Sequence, residues 1–173
     1  MLLIKYILFK MFKIIESKIL DATTAQLQVE KWQSEGLEIV FTNGCFDLLH
    51  YGHVRYLAEA RALGDKLVVG LNSTDSVRRL KGEHRPINDE LTRQTVLAAL
   101  QSVDIVVVFQ SDTPYDLIYL LKPDILVKGG DWQPAQIVGS DWVLENGGQV
   151  LSLPFRDGYS TTNLETKIKA TSK

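Results

Sequence analysis

Five short apolar runs, set apart by stretches whose apolar residues recur at helical spacing, constrain this chain more than any other feature. The runs fall at residues 37–42, 66–71, 104–109, 124–128 and 149–153. Each is strand-sized, and strands alternating with helices build βαβ units and a parallel sheet. The expected fold is a three-layer α/β/α domain around a five-stranded parallel sheet. The third run is apolar throughout after Asp104, so burial on both faces is expected. Between the runs, Val54, Leu57, Ala58 and Arg61-Ala62 give residues 53–63 a helical face, with Gly64 as C-cap. Asn88 reads as an N-cap followed by Leu91, Val96, Leu97 and Leu100. Pro114 opens another helix, a favoured place for proline. A short helix at 139–145 is closed by Asn146-Gly147-Gly148, and a last helix follows Ser160-Thr161-Thr162.

The 173 residues suit one domain, with 1–36 as an extension and leading helix, 37–169 as the domain and 170–173 as a frayed tail. A formal net charge of −2 gives no basic excess to recruit nucleic acid; Arg78-Arg79-Leu80-Lys81 is a local cluster, not a stripe. The single cysteine rules out an internal disulfide and fits a reducing, cytoplasmic setting. One cysteine and three scattered histidines also cannot build a cysteine-based zinc site. Residues 1–15 are apolar but interrupted by Lys5, Lys10 and Lys13. That leaves no membrane span and no signal-peptide core. They are read either as an interfacial helix or, preferably, as a dispensable lead-in to a start at Met11.

In such a sheet, ligands bind beyond the carboxyl ends of the strands, at the switch point. Four loops are expected on that rim: 42–53, 72–74, 128–131 and 155–162. The first reads Thr42-Asn43-Gly44-Cys45-Phe46-Asp47-Leu48-Leu49-His50-Tyr51-Gly52-His53. It leaves a strand, turns at a glycine and delivers two histidines to a helix start. Backbone N–H groups and the helix dipole favour an anion there, the imidazoles add directed donors, and Gly52 leaves room for approach. Phosphate is the ligand this pattern suits.

The same segment resembles the G-x-F-D-x-x-H-x-G-H signature of the nucleotidyltransferases with a cytidylyltransferase-like fold, through Gly44, Phe46, Asp47, His50, Gly52 and His53. The resemblance implies a Rossmann-like sheet of the HxGH nucleotidyltransferase type, with His50 and His53 donating to the phosphates. It also implies that Lys81 reaches the triphosphate and that Arg93 stands at an active-site position. Gly158-Tyr159-Ser160-Thr161-Thr162 is similar to the family's second signature, G-I-S-T-T, where hydroxyls and N–H groups cradle phosphate. Cytidylyltransferases carry an arginine three residues before that glycine. Here Phe155 holds the position and Arg156 follows, so the role does not transfer cleanly.

That departure, together with Arg79-Leu80-Lys81-Gly82 and Leu126-Val127-Lys128-Gly129-Gly130-Asp131, resembles the adenylyltransferases of ADP-heptose synthesis. The implied reaction joins ATP to D-glycero-β-D-manno-heptose 1-phosphate, with Mg²⁺ accompanying ATP and no metal ligands assignable. A homodimer and a separate upstream heptose kinase are further implications, and the product would supply lipopolysaccharide or another surface glycan. Lys128, Gly130, Asp131 and Trp132 are candidates for the sugar phosphate, although Asp131 equally caps a turn and Trp132 equally packs. Asp47 either organises its turn or orients a metal-bound triphosphate. Cys45 reads as a small side chain beside the phosphate turn, and His84 as a solvated loop residue. Glycerol-3-phosphate cytidylyl transfer is the rival reaction, and a nucleotide-binding regulator without catalysis the rival class.

Overall fold

The computed structural model describes residues 10–154, 156 and 158–171. Five parallel strands form one sheet: β1 (Ile39–Gly44), β2 (Lys66–Asn72), β3 (Ile105–Phe109), β4 (Ile125–Gly129) and β5 (Gln149–Leu153). Their order is β3-β2-β1-β4-β5, so the chain reverses direction across the sheet between β1 and β4. A helical stretch at 10–16 precedes the numbered helices, which are α1 (Ala22–Ser34), α2 (Tyr51–Arg61), α3 (Thr74–Lys81), α4 (Glu90–Ala98), α5 (Tyr115–Leu121), α6 (Ser140–Glu145) and α7 (Thr161–Thr171); a 3-10 turn, Pro134–Gln136, lies before α6.

Alternation along the strands divides the core into two layers, because successive side chains leave a strand on opposite faces. Ile39 and Phe41 pack with Ala25 and Val29 of α1, Leu117, Ile118 and Leu121 of α5, and Val143 of α6. Val40 packs on the other face with Leu57 and Ala60 of α2 and Leu97 and Ala98 of α4. This is the expected Rossmann-like three-layer α/β/α arrangement. The leading helix α1 is part of that core, since Ala25 and Val29 are fully buried.

β3 is an edge strand, yet it is mostly buried, as its apolar run predicts. The segment just before α1 covers its free edge. Leu20 N–H donates to the Val106 carbonyl at 3.0 Å, and Val106 N–H donates to the Lys18 carbonyl at 2.8 Å. An exposed edge would otherwise present unpaired backbone groups.

Several expected boundaries move. β1 begins at Ile39 and runs to Gly44, because Asn43 and Gly44 stay in register with Gly70 and Leu71 of β2. Lys81, which its polar neighbours from Arg79 to Pro86 suggest lies in a loop, instead ends a helix, α3. Ser73 caps it by accepting the Ser76 N–H at 3.1 Å, and Val77 is buried beneath it. Its apolar residues are too few to give a periodic signal. The N-cap of α4 is Asp89, which accepts the Thr92 N–H at 2.6 Å; Asn88 instead donates into the loop after β1. α2 ends at Ala62 in a right-handed conformation, and Gly64 is not its cap. A Cβ on Gly64 would lie 2.9 Å from Val40 Cγ2 and 3.0 Å from the Glu38 carbonyl, so close approach explains that glycine. α7 remains helical through Ala170 and Thr171, while Ser172, Lys173 and the first nine residues fall outside the described part.

Candidate active site

A cavity of about 470 Å³ opens where β1 and β4 end, at the reversal of strand order. That is where a parallel sheet leaves a crevice between outgoing loops. Its lining comes from the β1–α2 loop, the end of β4, Lys81 at the last turn of α3, and residues 156–163.

The histidines form its centre. His50 is the N-cap residue of α2, but its side chain makes no capping bond, and its carbonyl accepts from His53 and Val54. The first N–H groups of α2 are thus left for a ligand. The His50 and His53 rings stack at 3.8 Å with planes 22° apart, and Phe46 meets His53 edge-on at 5.4 Å. Both Nδ1 atoms are buried without a hydrogen-bond partner. Burial pushes both imidazoles below their ordinary pKa. For His53, the repulsion of His50 and Lys81 adds to the larger effect of burial, and its pKa falls to about 4. Two neutral rings therefore face the cavity at pH 7, with the charge of an arriving anion the natural complement. A Cβ on Gly52 would sit 3.1 Å from the His50 ring and 3.2 Å from Tyr159 Cβ. Gly52 is what lets residue 159 close over the helix start.

Asp47 holds the loop together. Its Oδ1 accepts from Ile87 N–H at 2.8 Å and Asn88 N–H at 2.9 Å, and its Oδ2 accepts from Arg85 Nη1 at 2.8 Å. Burial alone would raise its pKa, but the Asn88 and Ile87 N–H groups and Arg85 outweigh it and hold the carboxyl low. These bonds favour the turn-organising reading over the metal-orienting one. Among the described residues no group of three or more His, Cys, Asp or Glu side chains could hold a metal ion.

Arg93 lies beneath the same loop. It is 2% exposed, and its Nη1 donates to the Cys45 carbonyl at 3.0 Å and the Asn72 carbonyl at 2.7 Å. It joins the ends of β1 and β2 from behind and does not line the cavity. Lys128 does line it, donating to Asn43 Oδ1 at 3.0 Å, and burial lowers its pKa. Tyr56, one turn beyond Gly52, shares a 2.6 Å hydrogen bond with Thr42 Oγ1, and burial pushes its phenol up to about 12.

The structure therefore gathers Asn43, Gly44, Cys45, Phe46, Asp47, His50, Gly52, His53, Lys81, Lys128, Ser160 and Thr161 around one space. Thr42 stands behind it through Tyr56, and Thr162 faces solvent on α7. Gly130, Asp131 and Trp132 lie outside the lining. The Trp132 ring N–H instead donates to the Gly129 carbonyl at 3.1 Å. Of the four expected rim loops, 72–74 contributes only through its bonds to Arg93. Sequence reading passed over Tyr56, Tyr159 and Asn163, and left Arg156 without a role; all four line the cavity. Tyr56 carried a usable signal, since it is three residues from His53 on one helix face. Ser160 caps α7 by accepting the Asn163 N–H at 3.0 Å, so capping accompanies its place in the lining.

A switch-point crevice with paired imidazoles at a helix start is an arrangement that suits a phosphate-bearing ligand on a Rossmann-like sheet. The cytidylyltransferase-like family model matches residues 41–165, and the chain belongs to that family of nucleotidyltransferases. It is 54% identical over 158 residues to the bifunctional protein HldE of Rhodospirillum rubrum, covering 91% of this chain and 32% of that protein. It is 56% identical over 151 residues to the same-named protein of Geobacter metallireducens, covering 87% and 30%. The chain thus spans about a third of the length of these curated relatives. A crystal structure of a lipopolysaccharide core biosynthesis protein from Thermoplasma volcanium superposes with TM-score 0.58 at 31% identity, covering 72% of this chain and all of that one. Pantoate-beta-alanine ligase from Francisella tularensis, with TM-score 0.54 at 15% identity over 87% of this chain and 76% of that one, shares the fold alone.

Proposed function

We propose that this protein is an adenylyltransferase that joins ATP to D-glycero-β-D-manno-heptose 1-phosphate, giving ADP-heptose and pyrophosphate. The observation that carries the reaction type is the stacked, neutral His50–His53 pair with unpartnered nitrogens at the open start of α2. The choice of ATP and heptose 1-phosphate draws its support from the relatives named HldE and from the likeness to the lipopolysaccharide core biosynthesis protein of Thermoplasma.

In this reading a phosphate oxygen of the sugar phosphate attacks the α-phosphorus of ATP, and the bond to the pyrophosphate oxygen breaks in line. The attacking oxygen is already anionic, so positioning and charge neutralisation suffice. His50, His53 and the N–H groups of α2 meet charge gathering on the α- and β-phosphates, while Lys81 follows the triphosphate from the end of α3. Ser160 and Thr161 close the phosphate cradle from α7. Lys128 is placed for the sugar phosphate. In this reading Mg²⁺ enters with ATP as part of the substrate, a role that asks for only one or two protein carboxylates beside the phosphates.

We include in the proposal a cytoplasmic location, a homodimer and an upstream kinase that makes the sugar 1-phosphate. Among the described residues, no helix is long and apolar enough to cross a membrane. The test is pyrophosphate release with Mg²⁺, pairing ATP or CTP with heptose 1-phosphate or glycerol 3-phosphate. Release with ATP and heptose 1-phosphate alone is expected. Release with CTP and glycerol 3-phosphate instead would move the protein to the cytidylyl-transferring branch. In the same assay His53→Ala should lower turnover by about a hundredfold or more, from losing one transition-state donor, with the fold intact. Unchanged turnover would remove the phosphate-donor role, and binding without release in any pair would favour a regulator.

A further inference from the structure

Arg85 reaches two carboxylates on separate elements: Asp47, which lines the cavity, and Glu165 of α7, the helix whose start lines it. Its Nη1 donates to Asp47 Oδ2 at 2.8 Å in the β1–α2 loop, and its Nη2 pairs with Glu165 Oε1 on α7. Asp47 follows Phe46, whose backbone sits in the left-handed region at φ 42° and whose ring packs against His53. A non-glycine residue holds that conformation only when its surroundings impose it. Asp47 supplies the constraint: Ile87, Asn88 and Arg85 all donate to its carboxylate, and Asn88 Nδ2 donates to its carbonyl at 2.6 Å.

The other arm matters for a different reason. α7 has no fully buried residue, yet its first turn carries Ser160 and Thr161 into the cavity. A helix with so little apolar burial opens easily unless polar contacts tether it. Glu165 and Arg85 are both partly buried, with side-chain exposures of 23% and 20%, so their pairing is less screened than a surface ion pair.

We propose that Arg85 is a positioning residue whose forked guanidinium ties α7 to the histidine loop and so sets the spacing between the two phosphate-binding walls. The inference rests on the reading that this cavity takes a nucleoside triphosphate. A lysine offers one point charge and cannot reproduce the fork. Arg85→Lys therefore keeps a charge for Asp47 but loses the bridge, Glu165→Gln weakens only the α7 arm, and Arg85→Ala removes both.

The test measures ATP affinity with Mg²⁺ by calorimetry and the three histidine titrations by NMR on the full chain. Glu165→Gln and Arg85→Lys should each weaken ATP binding by about tenfold while His53 titrates as in wild type. Arg85→Ala should weaken binding further and move the His53 titration upward, because Phe46 no longer holds that ring. Wild-type affinity in both Glu165→Gln and Arg85→Lys overturns the proposal, as does an unmoved His53 titration in Arg85→Ala. If Arg85→Ala does not fold, the other two variants decide. Wild-type protein that binds ATP but releases no pyrophosphate sinks the functional reading and leaves this inference standing; failure to bind ATP sinks both.

Discussion

An imidazole surrounded by burial, a second imidazole and an ammonium gains nothing from a proton until an anion arrives. His53 is in that position, with its pKa brought to about 4. A histidine titrates near 6.5 in the unfolded chain, so below that pH the unfolded state binds protons the folded state refuses. The stabilisation from a neutral His53 is complete above pH 6.5 and is lost progressively as pH falls toward 4. Urea midpoints followed from pH 7 to 4.5 should therefore drop more steeply for wild type than for His53→Gln. Parallel curves would mean that the ring is not held neutral. Arg93 is the opposite kind of residue, a charge kept inside. Truncating it strands the Cys45 and Asn72 carbonyls beneath the loop. Arg93→Met is expected to destabilise by about 3 kcal/mol in denaturant melts, within the range for breaking a buried charged network.

At the scale of elements, the edge of β3 makes the clearest prediction. Removing residues 1–20 strips the Lys18–Leu20 cover from Val106 and leaves a buried-type strand with an open edge. That truncation should lower the melting temperature and cause self-association in sedimentation, whereas a start at Met11 should do neither. Monomeric, fully stable protein after the longer truncation would show the edge to be protected otherwise. The same strand shows what the sequence could and could not tell. Its apolar run announced burial on both faces, but nothing local said that a backbone segment nearly ninety residues earlier would cover it. The five strands and most helices were legible because periodicity and turn residues are local signals. α3 was not, because its stability comes from Ser73 and one buried valine. In the site, the histidine loop could be read from its residues and spacing, and the Ser160-Thr161 turn from its resemblance to a family signature. Arg85 could not, since its partners are Asp47 and Glu165, joined to it only by the fold.

The whole molecule converges on a cavity whose walls come from positions 43 to 163, so a ligand there contacts both halves of the sheet at once. A ligand that binds only the folded state stabilises it by RT ln(1 + [L]/Kd), about 2.7 kcal/mol at a hundredfold excess over Kd. Here that gain must depend on pH in a particular direction. Burial holds His50 and His53 below their ordinary pKa, and a polyphosphate brings negative charge to both rings. An opposite charge nearby raises an imidazole's pKa, so binding near pH 5 should draw protons from solution. Calorimetry of ATP binding at pH 5, in buffers of differing ionisation enthalpy, reads that uptake directly. ATP itself titrates in this range, so the informative quantity is the difference between wild type and His53→Gln. Wild type should take up more protons per ATP bound, and the excess should fade above pH 7, where His53 stays neutral even beside phosphate. Equal proton uptake in the two proteins at pH 5 would place the triphosphate away from His53, and with it the charge that the stacked imidazole pair is placed to receive.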